Sequence, residues 1–376
     1  MSLAALALTL AAAAADPGSI AVGVYGPLTG NAAAGGISQL QGARLAADEI
    51  NAAGGVLGKK LVVVEGDDEA NPEKGAQLVK GMIERGVAAV LGPVNTGVAN
   101  ASLALANQHK VPLIVAVATG NKVNELFVES PDNYVFRLAA SDLTQSALVV
   151  REAVEVRGFK RPALFCDDTP YGQQGKARIE AALDKRGLKP VSVGIFKVND
   201  RDMSRQVKEA KAAGADVILS YGMGAEMAQV ARALEKAAWK APIIGSWQLS
   251  SAAFLEGAGP YGEGTLMPQT FIEAGATGRG AQFAEAYRKK YGVAHIPMGP
   301  AGAQGYDAMK LVALAIAQAK SAQGPQVKAA LENLQAPYDG AIGRFVRPFS
   351  SNDHEGIKKA QIGWGVAKGG QVVPAR

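Results

Sequence analysis

The stretch INAAGGVLGKKLVVVEGDDEANP (50–72), read together with GPVNTG (92–97), decides the fold. The first piece reads as a helix end, a glycine turn, a strand and an acidic loop. The second reads as a strand end that runs straight into a helix N-terminus. Together they open a βαβαβ wind. A parallel sheet of that kind carries helix N-termini at its strand ends, where free backbone N–H groups can hold an anion.

The same rhythm continues outward. Short apolar runs at 20–25, 61–65, 87–91 and 112–117 alternate with helical spacing at 39–52, 73–85 and 98–109. Apolar runs without strict alternation indicate strands covered on both faces, and helical connections indicate parallel pairing. Near Ser141 the pattern restarts, with helices at 143–157, 172–185, 204–213 and 226–238 and strands at 163–166, 191–196, 217–221 and 243–245. After Gly262 a strand (265–270) leads to helices at 282–291, 302–319 and 325–334, then to strands near 343–346 and 360–366. The predicted fold is α/β: two doubly wound Rossmann-like lobes joined by a multi-strand hinge. Lobe 1 takes residues 16–141 plus 267–350, and lobe 2 takes 142–266 plus 351–376. Crossovers of this kind make a hinge with a cleft, and cleft ligands bind at the C-terminal ends of the strands.

Bulk properties narrow the function. With 376 residues, 48% hydrophobic and 19% charged, the chain can bury a large core and is not a disordered protein. Net charge is +5, but the basic residues are scattered, which argues against a nucleic-acid partner. The segment from Leu3 to Ala15 is apolar and ends in an A-x-A pattern at Ala13 to Ala15. It reads as a remnant of a secretory signal peptide (1–15) cleaved near Ala15, although its basic n-region is missing. It is too short to span a membrane. Cys166 is the one cysteine, so no internal disulfide can form, and in ALFCDD it reads as a buried small hydrophobe. It does not follow the signal, so it is not a lipoprotein anchor.

The search for catalytic chemistry finds little. His109, His295 and His354 lack metal-ligand spacing, and no G-x-S-x-G or G-x-x-x-x-G-K-[ST] motif is present. The GMG at 222–224 lacks a third glycine in register, and the acidic loop Asp67, Asp68, Glu69 reads as a strand-end cap before a cation site. No metal or cofactor is expected. The informative polar residues are Thr96 and Thr119, each following a strand and opening a helix. Their hydroxyls and nearby N–H groups can converge on one carboxylate, or they are simple N-caps.

These motifs carry a resemblance. GARLAADEINAAGGVLGKKL (42–61), DDEANP, GPVNTG, VATG (117–120) and DDTPYGQQG (167–175), in this order, resemble the type I periplasmic binding proteins of ABC importers, in the leucine/isoleucine/valine-binding-protein family. The resemblance runs from about Ser19 to the C-terminus. It implies a monomeric, periplasmic, hinge-closing solute receptor, not an enzyme, that delivers its ligand to a membrane permease and ATPase. It also implies that Thr96, with Val117, Ala118 and Thr119, holds the ligand carboxylate, and that Tyr171 closes over the ligand from the second lobe. Asn95 falls beside this clamp. Tyr25, at the first strand's end, either reaches the cleft or is a core aromatic beneath it.

The departures from the family pattern concern the rest of the ligand. Amino-acid binders of the family place an acid after the strand near Ile243; in IIGSWQLSS that position falls on Trp247. An unpaired ammonium buried there would cost several kcal/mol, of which a cation–π contact recovers only about 1–2 kcal/mol. Gly35 and Met223 stand where the family has tyrosines, which widens the pocket and makes it apolar. Ala70 and Asn95 stand where some relatives have a disulfide. The expected ligand is therefore an aromatic acid of the benzoate, arylpropanoid or aryl 2-oxo acid type. The alternative is a branched-chain or other amino acid: if the pairing around Trp247 shifts by one or two residues, Glu226 or Asp142 would serve its amine. A sensor ectodomain or an enzyme on a doubly wound fold are the readings from other classes.

Overall fold

A computed structural model describes residues 18–375. Strand β1 (Ser19–Gly26) shows how both faces of the first sheet are filled. Ile20, Val22 and Val24 point into one apolar core, and Ala21 and Tyr25 into the core on the opposite face. This is the period-2 alternation of a strand with helices on both sides. β1 pairs in parallel with β2 (Lys60–Asp67) and β3 (Val90–Leu91). β4 (Leu113–Val115) and β5 (Val135–Arg137) complete a parallel sheet in the order β2-β1-β3-β4-β5.

The residues at 50–72 do in detail what their sequence implies. The helix Ala33–Ala52 ends, and the Asn51 amide clamps the start of β2, donating to the Leu61 carbonyl at 2.8 Å and accepting its N–H at 2.7 Å. Gly55 has φ +78°, and a Cβ on it would lie 2.1 Å from the Lys59 carbonyl oxygen, so the turn requires glycine. Asp67 fastens the loop after β1, accepting from the Leu28 N–H and the Thr29 hydroxyl, both at 2.8 Å. The acidic loop is thus a structural tie. Among the described residues no group of three or more His, Cys, Asp or Glu side chains is placed to hold a metal.

The second sheet is built from β6 (Pro162–Asp167), β7 (Ser192–Phe196), β8 (Val217–Tyr221), β9 (Ile243–Gly245) and β10 (Leu266–Gln269), all parallel. A hairpin, β11 (Tyr338–Asp339) with β12 (Arg344–Phe345), stands apart. β13 (Gly363–Lys368) and β14 (Gln371–Pro374) return antiparallel to the edge of the second sheet, whose order is β14-β13-β10-β9-β8-β6-β7. β5, β11 and β14 have no counterpart among the strands expected from the sequence. The helix read over 143–157 is α-helical from Asp142 to Arg151 and then widens into a π-turn, Glu152–Val156.

The chain passes between the sheets three times, after β5, after β10 and after β12. Between the last two passages, Phe283, Tyr287, Met309 and Val312 pack into the same core as Val22, Val24 and Phe136. Buried Asp307 ties the hairpin to the helix Gly299–Ala319, accepting from the Tyr338 hydroxyl and the Ala341 and Ile342 N–H groups. His354 is buried against β5, with Nδ1 2.7 Å from the Val135 carbonyl oxygen and its ring stacked on Phe136. Cys166 is fully buried, and burial pushes its thiol up to about 12, so it is an inert core residue. The apolar signal-like segment and the Ala15 cleavage position lie outside the described residues. No helix among those described is long and apolar enough to cross a membrane.

Candidate functional site

The C-terminal ends of β3 and β4 supply the first wall. Gly92 has φ +126°, and a Cβ there would lie 2.2 Å from the Tyr25 carbonyl oxygen, so only glycine lets the chain turn so close to β1. Asn95, not Thr96, is the N-cap residue of the helix Thr96–His109, and its side chain makes no cap hydrogen bond. Thr96 is the first helical residue, 1% exposed, and its Oγ1 has no partner among the described residues. It is therefore not a cap, and it lies beside Gly120, where a Cβ would come 3.1 Å from Thr96 Oγ1. Thr119 does not open a helix. Its carbonyl oxygen accepts from the buried Arg137 guanidinium at 3.0 Å, and Gly120 accepts from the same nitrogen at 2.6 Å. Arg137 is in turn held by Glu355, with Nε 2.8 Å from Oε2. The Ala118 N–H is committed to the Pro93 carbonyl at 3.0 Å and the Thr119 hydroxyl interacts with the Asp142 carboxyl, so among the described residues it is the Thr96 hydroxyl that keeps bonding capacity to spare.

The second wall comes from the strand ends of the other sheet. Tyr171, in the first turn of the helix Pro170–Asp184, is 6% exposed and donates to Ser246 Oγ at 2.5 Å. Its ring packs against Tyr221 with centroids 4.8 Å apart. Tyr221 donates to Asp142 Oδ1 at 2.6 Å, whereas Asp142 Oδ2 has no partner among the described residues. Burial pushes the Asp142 carboxyl up to about 6, against the lowering contributions of Thr119, Tyr221 and two arginines. Trp247 follows β9 and is 6% exposed. Its backbone N–H donates to Gln145, its carbonyl accepts from Gln269, and its Nε1–H has no partner among the described residues. Met223 sits next to this group, its sulfur 3.6 Å from Gln248 Nε2. Glu226 is buried in the following helix turn, with Oε1 accepting from the Asn199 N–H and Oε2 unpartnered.

The walls meet. Val117, Thr119 and Trp247 line one cavity together with Gln145, Gln269 and Gln304, and its volume is about 10 Å³. That is room for a single water at most. Gln174, on the second lobe, accepts from the Asn121 N–H at 3.1 Å, right beside the Thr96–Gly120 contact. Arg178 pairs with Glu125 at 2.9 Å, and Asn31 donates to Asn199 at 2.6 Å, across the same boundary. Any ligand larger than water needs the lobes, and Trp247 with them, to part.

Val117, Thr119 and Trp247 thus line one interlobe cavity, and Thr96 lies beside the Gln174 contact that crosses the boundary; Tyr171 and Met223 bond to second-lobe partners, and Asn95 directly precedes Thr96. Tyr25 stands elsewhere: its ring lies beside Gly75 and Gly92, and it belongs to the core with Val79, Val98 and Leu103. The β1 pleat accounts for this, since Tyr25 shares the face of Ala21. The roles of Gln145, Gln174, Ser246 and Gln304 escaped sequence reading, because isolated amides and a serine carry no motif. The G-S-W junction was their one visible signal.

The comparisons with known proteins agree with this architecture. A family model described as periplasmic binding protein matches residues 19–370. A Leu/Ile/Val-binding protein homolog of Brucella melitensis is 31% identical over 266 residues, 71% of each chain. Two solved structures share the fold: LivJ of Streptococcus pneumoniae, solved with isoleucine (24% identity, TM-score 0.82, covering 94% of this chain and 97% of that one), and an ABC-transporter solute binding protein of Rhodopseudomonas palustris, solved with 3,4-dihydroxy benzoic acid (22% identity, TM-score 0.80, covering 95% of each). The chain belongs to the periplasmic binding proteins of type I, in their Leu/Ile/Val-binding-protein-like branch, whose members are solute receptors of ABC transporters.

Proposed function

We propose that this protein is an extracytoplasmic receptor, acting as a monomer, that binds a small aromatic carboxylate between its lobes and presents it to the permease and ATPase of an ABC importer. The observation that carries the ligand class is Trp247. A large aromatic side chain, whose Nε1–H has no partner among the described residues, stands at the lobe boundary, at the position where the resemblance puts the acid of the family's amino-acid binders. Tyr171 and Met223 extend the apolar wall beside it. An aryl ring would lie against these side chains while Thr96 and Thr119 hold its carboxylate.

A second reading has its own observation. Asp142 is fully buried next to Thr119, with Oδ2 unpartnered, and could receive the ammonium of an amino acid. The two relatives solved with ligands fall on either side of this choice, one with an aromatic acid and one with isoleucine. A thermal-shift panel of benzoate, 3,4-dihydroxybenzoate, phenylpyruvate, leucine and valine decides it. A ligand at 100 times its Kd adds about 2.7 kcal/mol of stability. Stabilisation by aromatic acids is the expected result. Stabilisation by leucine or valine alone would replace the aromatic reading with the amino-acid one.

A further inference from the structure

A sizeable cavity lies apart from the small space around Trp247. It measures about 610 Å³ and is bordered by residues of two of the three crossovers, together with the hairpin β11–β12 and the end of β14. That is the size of ordinary small-molecule sites, and more than fifty times the room around Trp247, which is about 10 Å³.

Its lining is rich in donors. Arg279 and Arg344 border it from the helix and from the hairpin. Thr277, the N-cap of the helix Gly278–Tyr291, and the residues of that helix's first turn also border it, and no side chain caps them. The free N–H groups of that turn therefore add to the positive field of the guanidiniums. Gln361 contributes a buried Nε2 with no partner. Against these stands, among the described residues, one buried acceptor of the lining that lacks a donor: Gln269, 2% exposed, whose Nε2 is fixed on the Trp247 carbonyl and whose Oε1 has no partner there. Asp339 is the one carboxylate on the rim, 3.5 Å from Arg344.

We infer that this cavity is a second binding site, for a small hydroxy-carboxylate. Arginines contributed by two different elements suit two carboxylate groups, the helix terminus strengthens the same preference, and Gln269 Oε1 accepts the hydroxyl. Gln269 also borders the space beside Trp247, so the site is one side chain from the cleft.

Citrate is the probe. Isothermal titration calorimetry should show binding to the wild-type protein at millimolar concentration or below. Arg279→Ala/Arg344→Ala should weaken it by about tenfold or more, since charge-assisted bonds are lost. Arg279→Glu, which leaves the hairpin ion pair in place, should do the same, and circular dichroism melts check that both variants fold. Thr96→Val, altered in the proposed cleft, should bind citrate like the wild type. No measurable heat, equal affinity in the arginine variants, or loss in Thr96→Val would each overturn the inference. None of these outcomes depends on which ligand the cleft takes.

Discussion

The two walls of the cleft are made of different materials. The wall from β3 and β4 offers hydroxyls and backbone, fixed by glycines and by the Arg137–Glu355 pair beneath. The wall from the second sheet offers rings and a thioether, with carboxylates behind them. The first wall suits a group that every ligand of a class shares. The second suits the part in which ligands differ. On the proposed reading recognition is divided: one lobe would fix the carboxylate, and the other would select the body.

The comparison breaks most readily at the first wall. Thr96→Val/Thr119→Val should weaken every carboxylate ligand, aromatic or not, by roughly 100-fold or more, because hydrogen bonds to a charged group contribute about 1.5–3 kcal/mol each. Titration calorimetry with a matched aromatic and aliphatic pair reads this. A loss confined to one class would mean that the walls do not divide the work. Trp247→Ala tests the other side. An aromatic acid should lose about tenfold or more in affinity through the missing ring contact, and acetate should be nearly unaffected.

The sequence carried the first wall better than the second. GPVNTG and VATG are contiguous strand-to-helix junctions, and contiguity is what a pattern can show. The second wall is assembled from Asp142, Tyr171, Tyr221, Ser246 and Trp247, which belong to four separate places along the chain. Only tertiary packing brings them together. The position of Tyr25 was ambiguous for a related reason: a strand covered on both faces leaves no polar alternation to say which way a ring points. The cap assignments at Thr96 and Thr119 differ from the structure by a residue or two, because hydroxyl residues at a junction fit several local geometries.

Asp142 separates the two ligand readings and has a pH signature of its own. Burial holds its carboxyl up at about 6, compared with 3.8 for the free side chain. Between about pH 4 and 6 the native protein keeps a proton that the unfolded chain has released, so this residue makes stability fall as pH rises through that window. Asp142→Asn should flatten that part of the pH–stability curve by on the order of 1–3 kcal/mol, measured by urea denaturation at a series of pH values. Asp68, Asp167 and Asp307, which burial also raises to about 6, contribute slope of the same sign. The same variant should leave an aromatic acid bound and weaken an amino acid. Loss of both ligands would move Asp142 from the second wall to the shared clamp.

The smallest effect is expected where the walls meet at the rim. Arg178 and Glu125 pair across the boundary at 2.9 Å, with side chains 34% and 58% exposed. Water and salt screen such a pair, so it contributes at most about 1 kcal/mol to holding the lobes together. Arg178→Ala should therefore lower cleft affinity by no more than about fivefold, and the difference should vanish in high salt. It should act equally on aromatic and aliphatic ligands, because the pair touches neither wall's chemistry. Double-mutant cycles of Arg178→Ala with Thr96→Val and with Trp247→Ala should both be additive within about 0.5 kcal/mol. Coupling to Trp247 alone would show that the rim acts through the selecting wall, and closure and selection would then be one event.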